Sequence, residues 1–451
     1  MMGEIFTQRR NDEWNERSVT EYYTHTFSNG FSLLAEPMDG LESVAYQLAV
    51  PAGTVHEPLD GHGRESLAGL AGFTCEMVLR GAGERSSRKI IDDFDMLGID
   101  RNETVGTYFT QYSGATLASN LESALSLTAD LVQRPHLPKE ELEQSRLSVM
   151  QELRAIEDEP ADRLSVELRR RAFPRPWNRI LQGSLAGCQA ITHRDIERFY
   201  RTFYRPNGAI LGVAGRFDWS RLLDTVSNLF EDWKPLAEPQ IQTIPLPFEN
   251  VTIPMEDATQ TQLGIAWQSV PPNHPDYPLA WGLTNILSGG MSSRLFTGLR
   301  ERQGLCYSVC ATQINTRQDG RIFCQLGTSP ERLDEALRML LEQVRSLAHD
   351  RPSCDMKMDG ELPTVGGPVT EEEVERLKTR SKAALIMQQE SSASHASALV
   401  ADWYHFGRIR PQTEILATVE SLTAKRLNAF VPQYVPSHDS ELLTVVLGPD
   451  L

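Results

Sequence analysis

The chain has 451 residues, too many for one ordinary hydrophobic core and suited to two or three domains. Hydrophobic residues make up 40% and charged residues 23%, the balance of a soluble globular protein. The formal net charge of −17 repels phosphate backbones and argues against nucleic acid as a partner.

The first 18 residues are polar and read as an N-terminal extension without a secretory signal. Residues 67–81, LAGLAGFTCEMVLRG, read as an apolar helix, and 84–98, ERSSRKIIDDFDMLG, as an amphipathic one. RNETVGTYFTQYSGAT has strand character, and EELEQSRLSVMQELRAIEDEP is a long helix. His56 and His62 flank a Gly/Pro-containing loop and read as ordinary loop residues. A helix opening at Thr192 puts Ile196, Phe199 and Phe203 on one face, and AILGVAG follows as a buried strand ending at Gly215. A proline-rich stretch, 233–248, reads as a linker between a first domain (19–232) and a second (249–451).

The second half repeats the plan of the first. Leu121, Ala124, Leu125 and Val132 match Leu333, Ala336, Leu337 and Val344, the latter after a helix start at Ser329–Pro330. LPKEELEQ around Leu142 resembles VTEEEVER around Val374, where Thr370 and Glu373 form a capping box. A helix from Thr423 carries Leu427, Phe430 and Tyr434 at the offsets seen after Thr192, and LLTVVLG then ends at Gly448. The spacing between halves grows from 212 residues (Leu125 to Leu337) to 232 (Leu142 to Val374), which assigns a surface loop insertion of about 20 residues to 349–368. The fold class is α+β: two similar halves, each a mostly antiparallel sheet covered by helices. Six scattered cysteines without a CxxC pair indicate reduced, cytoplasmic usage, and no stretch is long and apolar enough to span a bilayer.

Two segments carry a family resemblance. Gly69-Leu70-Ala71-Gly72-Phe73-Thr74-Cys75-Glu76-Met77 resembles the zinc-binding helix of the M16 peptidases, and NILSGGMSSRLFTGLRERQGLCYSV resembles their second-half signature. The resemblance spans roughly residues 20–450 and implies a LuxS/mitochondrial-processing-peptidase-like metallohydrolase fold. In the family the helix carries His-x-x-Glu-His. Positions i and i+4 share a helix face, so two histidines grip one zinc while the glutamate activates water. Here Gly72 stands at the first histidine position, Cys75 at the base and Glu76 at the second histidine; Glu152 matches the third ligand and is retained. Cys75 and Glu76 are adjacent and do not share a face, and Glu76 with Glu152 offers two carboxylates and no nitrogen. No metal is expected in this chain.

Arg300 and, seven residues later, Tyr307 match the family's arginine–tyrosine pair. In catalytic members this pair holds substrate and steadies the tetrahedral intermediate, because guanidinium and phenol both donate to a carbonyl developing negative charge. Gly304 interrupts the helix between them, so Tyr307 is expected to start a strand. Asn102 and Thr104 match an edge strand that accepts peptide as an added strand, with Glu103 in place of the usual alanine. Ligands lost and pair kept is the pattern of a non-catalytic subunit. The implied partner is a zinc-bearing M16 chain, and the implied substrate a peptide or unfolded polypeptide. A scaffold or peptide-binding protein of the same fold is the alternative.

Overall fold

The computed structural model describes residues 5–6, 21–38, 40–59, 65–256, 258–348 and 366–449. Most of the expected insertion at 349–368 and most of the N-terminal extension therefore lie outside the described residues, as does His62. The chain forms two compact units. One comprises 1–154, 179–242 and 386–411; the other comprises 155–178, 243–385 and 412–451.

The first unit holds strands β1 (Ile5–Phe6), β2 (Tyr22–Thr26), β3 (Ser32–Pro37), β4 (Ser43–Val50), β5 (Gly81–Ala82), β6 (Arg85–Ser86), β7 (Asp100–Val105), β8 (Thr110–Leu117) and β9 (Ile210–Gly215). Seven of them form a sheet in the order β1-β2-β3-β9-β4-β8-β7. Its helices are α1 (Leu70–Val78), α2 (Ser87–Met96), α3 (Leu121–Gln133), most of α4 (Leu142–Asp158), α6 (Leu185–Ala190), α7 (His193–Phe203), α8 (Trp219–Phe230) and α12 (Ser392–Phe406). The second unit holds β10 (Val251–Pro254), β11 (Thr261–Ser269), β12 (Val309–Asn315), β13 (Gly320–Thr328) and β14 (Leu443–Gly448), in the order β10-β14-β11-β13-β12. Its helices are α5 (Pro160–Ala172), α9 (Tyr277–Ser288), α10 (Leu333–Ser346), most of α11 (Glu371–Gln388), α13 (Gln412–Glu420) and α14 (Ala424–Tyr434).

Five strands of the first sheet repeat the second sheet strand for strand. β3 and β9 run parallel, as do β10 and β14, and every other neighbour in both sets is antiparallel. The sequence repeat is thus a repeat of topology. Its caps repeat too: Thr192 accepts from the Asp195 N–H, and Thr423 from the Arg426 N–H, so each closing helix starts on a threonine hydroxyl.

The β3, β4 and β9 strands are buried along almost their whole length because both sheet faces are covered. Leu33, Leu48 and Leu211 enter the main core of the first unit, while Leu34, Ala49 and Ile210 meet Leu399 and Val400 of α12 on the other face. At Gly212 a Cβ would sit 2.5 Å from the Ala396 carbonyl oxygen, so α12 lies on bare backbone there. In the second unit α5 takes the same place: at Gly264 a Cβ would meet Leu168 at 2.6 Å and Leu164 at 3.0 Å. The covering helices are therefore exchanged. α5 comes from the first half of the sequence and lies on the sheet of the second unit; α12 comes from the second half and lies on the sheet of the first. No helix among the described residues is long and apolar enough to cross a membrane.

Candidate functional site

Helix α1 starts on Gly69 in the left-handed region (φ 101), a conformation that glycine adopts without strain. Its first turn is held by the buried Glu57 carboxylate, whose Oε1 accepts from the Gly69 and Ala71 N–H groups at 3.1 and 3.0 Å. Burial pushes the Glu57 carboxyl up to about 7, against the opposing pull of the Ala71 N–H and the Arg179 guanidinium. The same turn before α1 carries His56. The sequence reads it as an ordinary loop residue; it ends a short 3₁₀ turn and is buried, its ring 4.7 Å from Phe203 and 5.5 Å from Tyr108. Burial first, and then the charges of Arg205 and Arg179, push its imidazole down to about 3, so it stays neutral.

The three positions that the resemblance matches to the zinc motif have three different surroundings. At Gly72 a Cβ would meet nothing within 4 Å; the place of the first histidine is open space. Cys75, at the base position, is buried, and its thiol is pushed up to about 12, chiefly by desolvation. It sits beside Tyr112, whose hydroxyl lies 2.8 Å from that of Tyr204. Glu76, at the second histidine position, pairs with Arg80 one turn on, and Arg80 also lies 3.7 Å from Glu141 just before α4. Helix α4 is seated on α1 by Arg146, whose guanidinium lies 5.3 Å from the Phe73 ring. Glu152 on α4 is exposed. Among the described residues no group of three or more His, Cys, Asp or Glu side chains could hold a metal ion. A zinc ion does not fit the donor set: one position has no side chain, one has a protonated buried thiol, and one carboxylate is engaged by arginine.

Asn102 and Thr104 lie on β7, the edge strand of the first sheet. Both side chains are exposed, and they alternate with Arg101, Glu103 and Val105, which are half-buried. Glu103, where the resemblance expects alanine, pairs with Arg101 at 2.7 Å on the same strand face, away from the Asn102 and Thr104 side chains. The outer edge of β7 has no strand neighbour among the described residues, so its backbone groups face outward.

In the second unit a π-helical turn, Phe296–Arg302, follows the Gly-Gly-Met-Ser-Ser segment. It is anchored by Arg294, which is 5% exposed at its side chain, pairs with Glu373 at 2.7 and 2.8 Å, and donates to the Gly367 and Pro368 carbonyls. Burial raises the Glu373 carboxyl, but Arg294 and the Thr370 cap bring it below the usual carboxylate range. The turn ends at Gly304 (φ 56), which reverses the chain. Tyr307 is not in a strand, as the sequence suggests, but in the loop two residues before β12; the glycine turn and Leu305, bound back to Leu299, delay the pairing. The structure brings Arg300 and Tyr307 together. The guanidinium carbon lies 4.8 Å from the centre of the Tyr307 ring and 4.7 Å from that of Phe296. Tyr307 is 78% exposed, and Arg300 has no carboxylate partner among the described residues. The segments missed from sequence are the ones that hold these groups: Glu57 under α1, and Phe296 against Arg300. The Phe296–Arg300 spacing of four was the available signal.

Comparison with known proteins places these features. The family model described as insulinase (peptidase family M16) matches residues 36–182, and that described as the peptidase M16 inactive domain matches 190–355. The chain belongs to the M16 peptidase family. An uncharacterized zinc protease of Rickettsia felis is 24% identical over 398 residues, covering 88% of this chain and 90% of that protein. Among solved structures, a protease from Helicobacter pylori superposes with a TM-score of 0.82 at 19% identity, covering 95% of this chain and 100% of the other. A peptidase M16 inactive domain from Pseudomonas fluorescens gives 0.80 at 20% identity, covering 95% and 98%. The M16 architecture of two sheet-and-helix halves is thus this chain's fold.

Proposed function

We propose that this M16 chain is a peptidase subunit that has given up its own zinc site and works with a zinc-bearing M16 partner. In this reading it donates Arg300 and Tyr307 to peptide binding and transition-state stabilisation in a chamber shared with that partner. Zinc is expected in the partner, not here, and the activity is that of the heteromer. The observation that carries the reading is the Arg300–Tyr307 pair: a guanidinium close to two rings, with no carboxylate partner among the described residues, beside a largely exposed phenol. Such a group has little to do for folding, whereas it suits a peptide carbonyl that accumulates negative charge. Peptide would be presented as an added strand, along the open edge of β7 past Asn102 and Thr104, because main-chain pairing accepts many sequences.

The test begins with the native complex, isolated through a tag on this chain, its companions identified and its zinc measured. A second chain with an intact His-x-x-Glu-His helix, carrying the zinc, is the expected companion. In that complex Arg300→Ala lowers kcat about 10²–10³-fold with assembly unchanged, and Tyr307→Phe has a smaller effect. Unchanged turnover in Arg300→Ala would sink the catalytic role. A chain that arrives alone, without zinc or peptidase activity, would make it a scaffold or peptide-binding protein.

A further inference from the structure

In the second unit α9 and α11 occupy the places that α1 and α4 hold in the first, in chain order and relative to equivalent strands. Helix α9 ends at Ser288, and the Gly289–Gly290 turn leads past Met291 into Ser292 and Ser293. Between that turn and α11 lies an open cleft of about 440 Å³, lined among others by Asn285, Met291, Ser292, Ser293, Thr379 and Arg380. A Cβ on Gly290 would sit 3.0, 3.2 and 3.3 Å from the Cζ, Nη1 and Nη2 atoms of Arg380. Near-equal distances to the three atoms mean that the glycine lies over the flat face of the guanidinium. At Gly289 a Cβ would come within 2.5 Å of Nη1. The glycine pair is what lets this arginine lie there.

Arg380 makes no hydrogen bond or ion pair among the described residues. Its neighbours do. Of the three glutamates that line the cleft, Glu372 pairs with Arg376, Glu373 with Arg294 and Glu375 with Lys378. Among the described residues this leaves one cation over, and it lines an open concavity. The Ser292 and Ser293 hydroxyls also lack a hydrogen-bond partner among the described residues. The apolar share of the lining comes from Ile286 and Leu377, with Met291 72% exposed at the rim.

We propose that this cleft binds a planar carboxylate carried on an apolar group, such as the C-terminal end of a peptide finishing in an aliphatic residue. With its face covered by glycine backbone, the guanidinium offers its N–H edge, which matches the two oxygens of a carboxylate bidentately. The serine hydroxyls can donate to the same oxygens, and Met291 adapts to an aliphatic side chain. The one cation left over among the described residues balances a monoanion. A phosphate dianion would bring one more negative charge than the site can match, beside three glutamates. The cleft lies within one unit, and its ligand requires neither zinc nor a partner chain.

The experiment is a calorimetric titration of the full chain with N-acetyl-leucine, N-acetyl-leucinamide and inorganic phosphate. The acid is expected to bind, and the amide to bind about tenfold or more weakly, the loss of one charge-assisted pair. Arg380→Gln removes the preference for acid over amide, and Arg380→Lys, which keeps the charge but not the fork, restores part of it; circular dichroism checks that both variants fold. No binding of the acid at millimolar concentration, equal binding of acid and amide, or an unchanged preference in Arg380→Gln would overturn the proposal. Phosphate binding more tightly than the acid would overturn the carboxylate assignment in favour of a phosphoryl group.

Discussion

Helix α1 in the first unit and the Phe296–Tyr307 segment in the second have gone opposite ways. In α1 the positions that would carry metal chemistry are absorbed into the fold: Cys75 is buried beside the Tyr112–Tyr204 phenols, and Glu76 is tied to Arg80. In the second segment the side chains of interest are left out of it: Tyr307 projects into solvent, and Arg300 has aromatic neighbours but no carboxylate among the described residues. A buried or paired residue is explained by stability, whereas an exposed aromatic next to an unneutralised cation is not. The α1 side chains are thus accounted for by packing and pairing, whereas the exposure of Tyr307 and the aromatic surroundings of Arg300 are not.

The largest effect expected from breaking this contrast is at the support of the second segment. Arg294→Met leaves Glu373 buried and unpaired and frees two backbone carbonyls, which costs about 3–5 kcal/mol in chemical denaturation. Next comes an attempt to restore the base in the first unit. Cys75→Glu puts a carboxyl beside buried phenols and costs about 2–3 kcal/mol; a stable variant would mean that α1 is looser than its packing indicates.

A smaller, pH-dependent effect is expected where α12 meets the first sheet. His395 Nδ1 lies 2.8 Å from Glu36 Oε2, and the hydrogen bond to Glu36 raises the imidazole above its usual range. A raised folded-state value means that the contribution is complete below the unfolded value, about 6.5, and is lost as pH rises through the folded value. Stability followed from pH 6 upward should show this loss, and His395→Gln should flatten that part of the curve. The smallest effect belongs to Gly72→His. Its Cβ enters open space, so stability changes by less than about 0.5 kcal/mol, and zinc content stays at background because Cys75 and Glu76 remain.

Much of the fold is legible in the sequence because its signals are local. Thr192 and Thr423 announce their helices through hydroxyl caps, and the apolar runs ending at Gly215 and Gly448 announce buried strands. The α1 helix itself is legible for the same reason, as an apolar run after a glycine. What escapes is set by distant contacts. The burial of Cys75 depends on Tyr112 and Tyr204, the start of α1 on Glu57, and the lack of a partner for Arg380 among the described residues on which neighbouring cations each glutamate takes. Tyr307 falls short of its strand because Leu305 bonds back to Leu299, a local reversal that residue type does not encode.

The exchange of α5 and α12 has a consequence for how such a chain can be divided. Each sheet borrows its outer cover from the other half of the sequence. A cut in the proline-rich stretch near residue 240 would yield two fragments, each with a bare apolar face and a stray amphipathic helix, sticky alone and complete only in company. The two halves repeat one topology, yet each sheet is covered on both faces only when both halves are present. They are twins that cannot live apart.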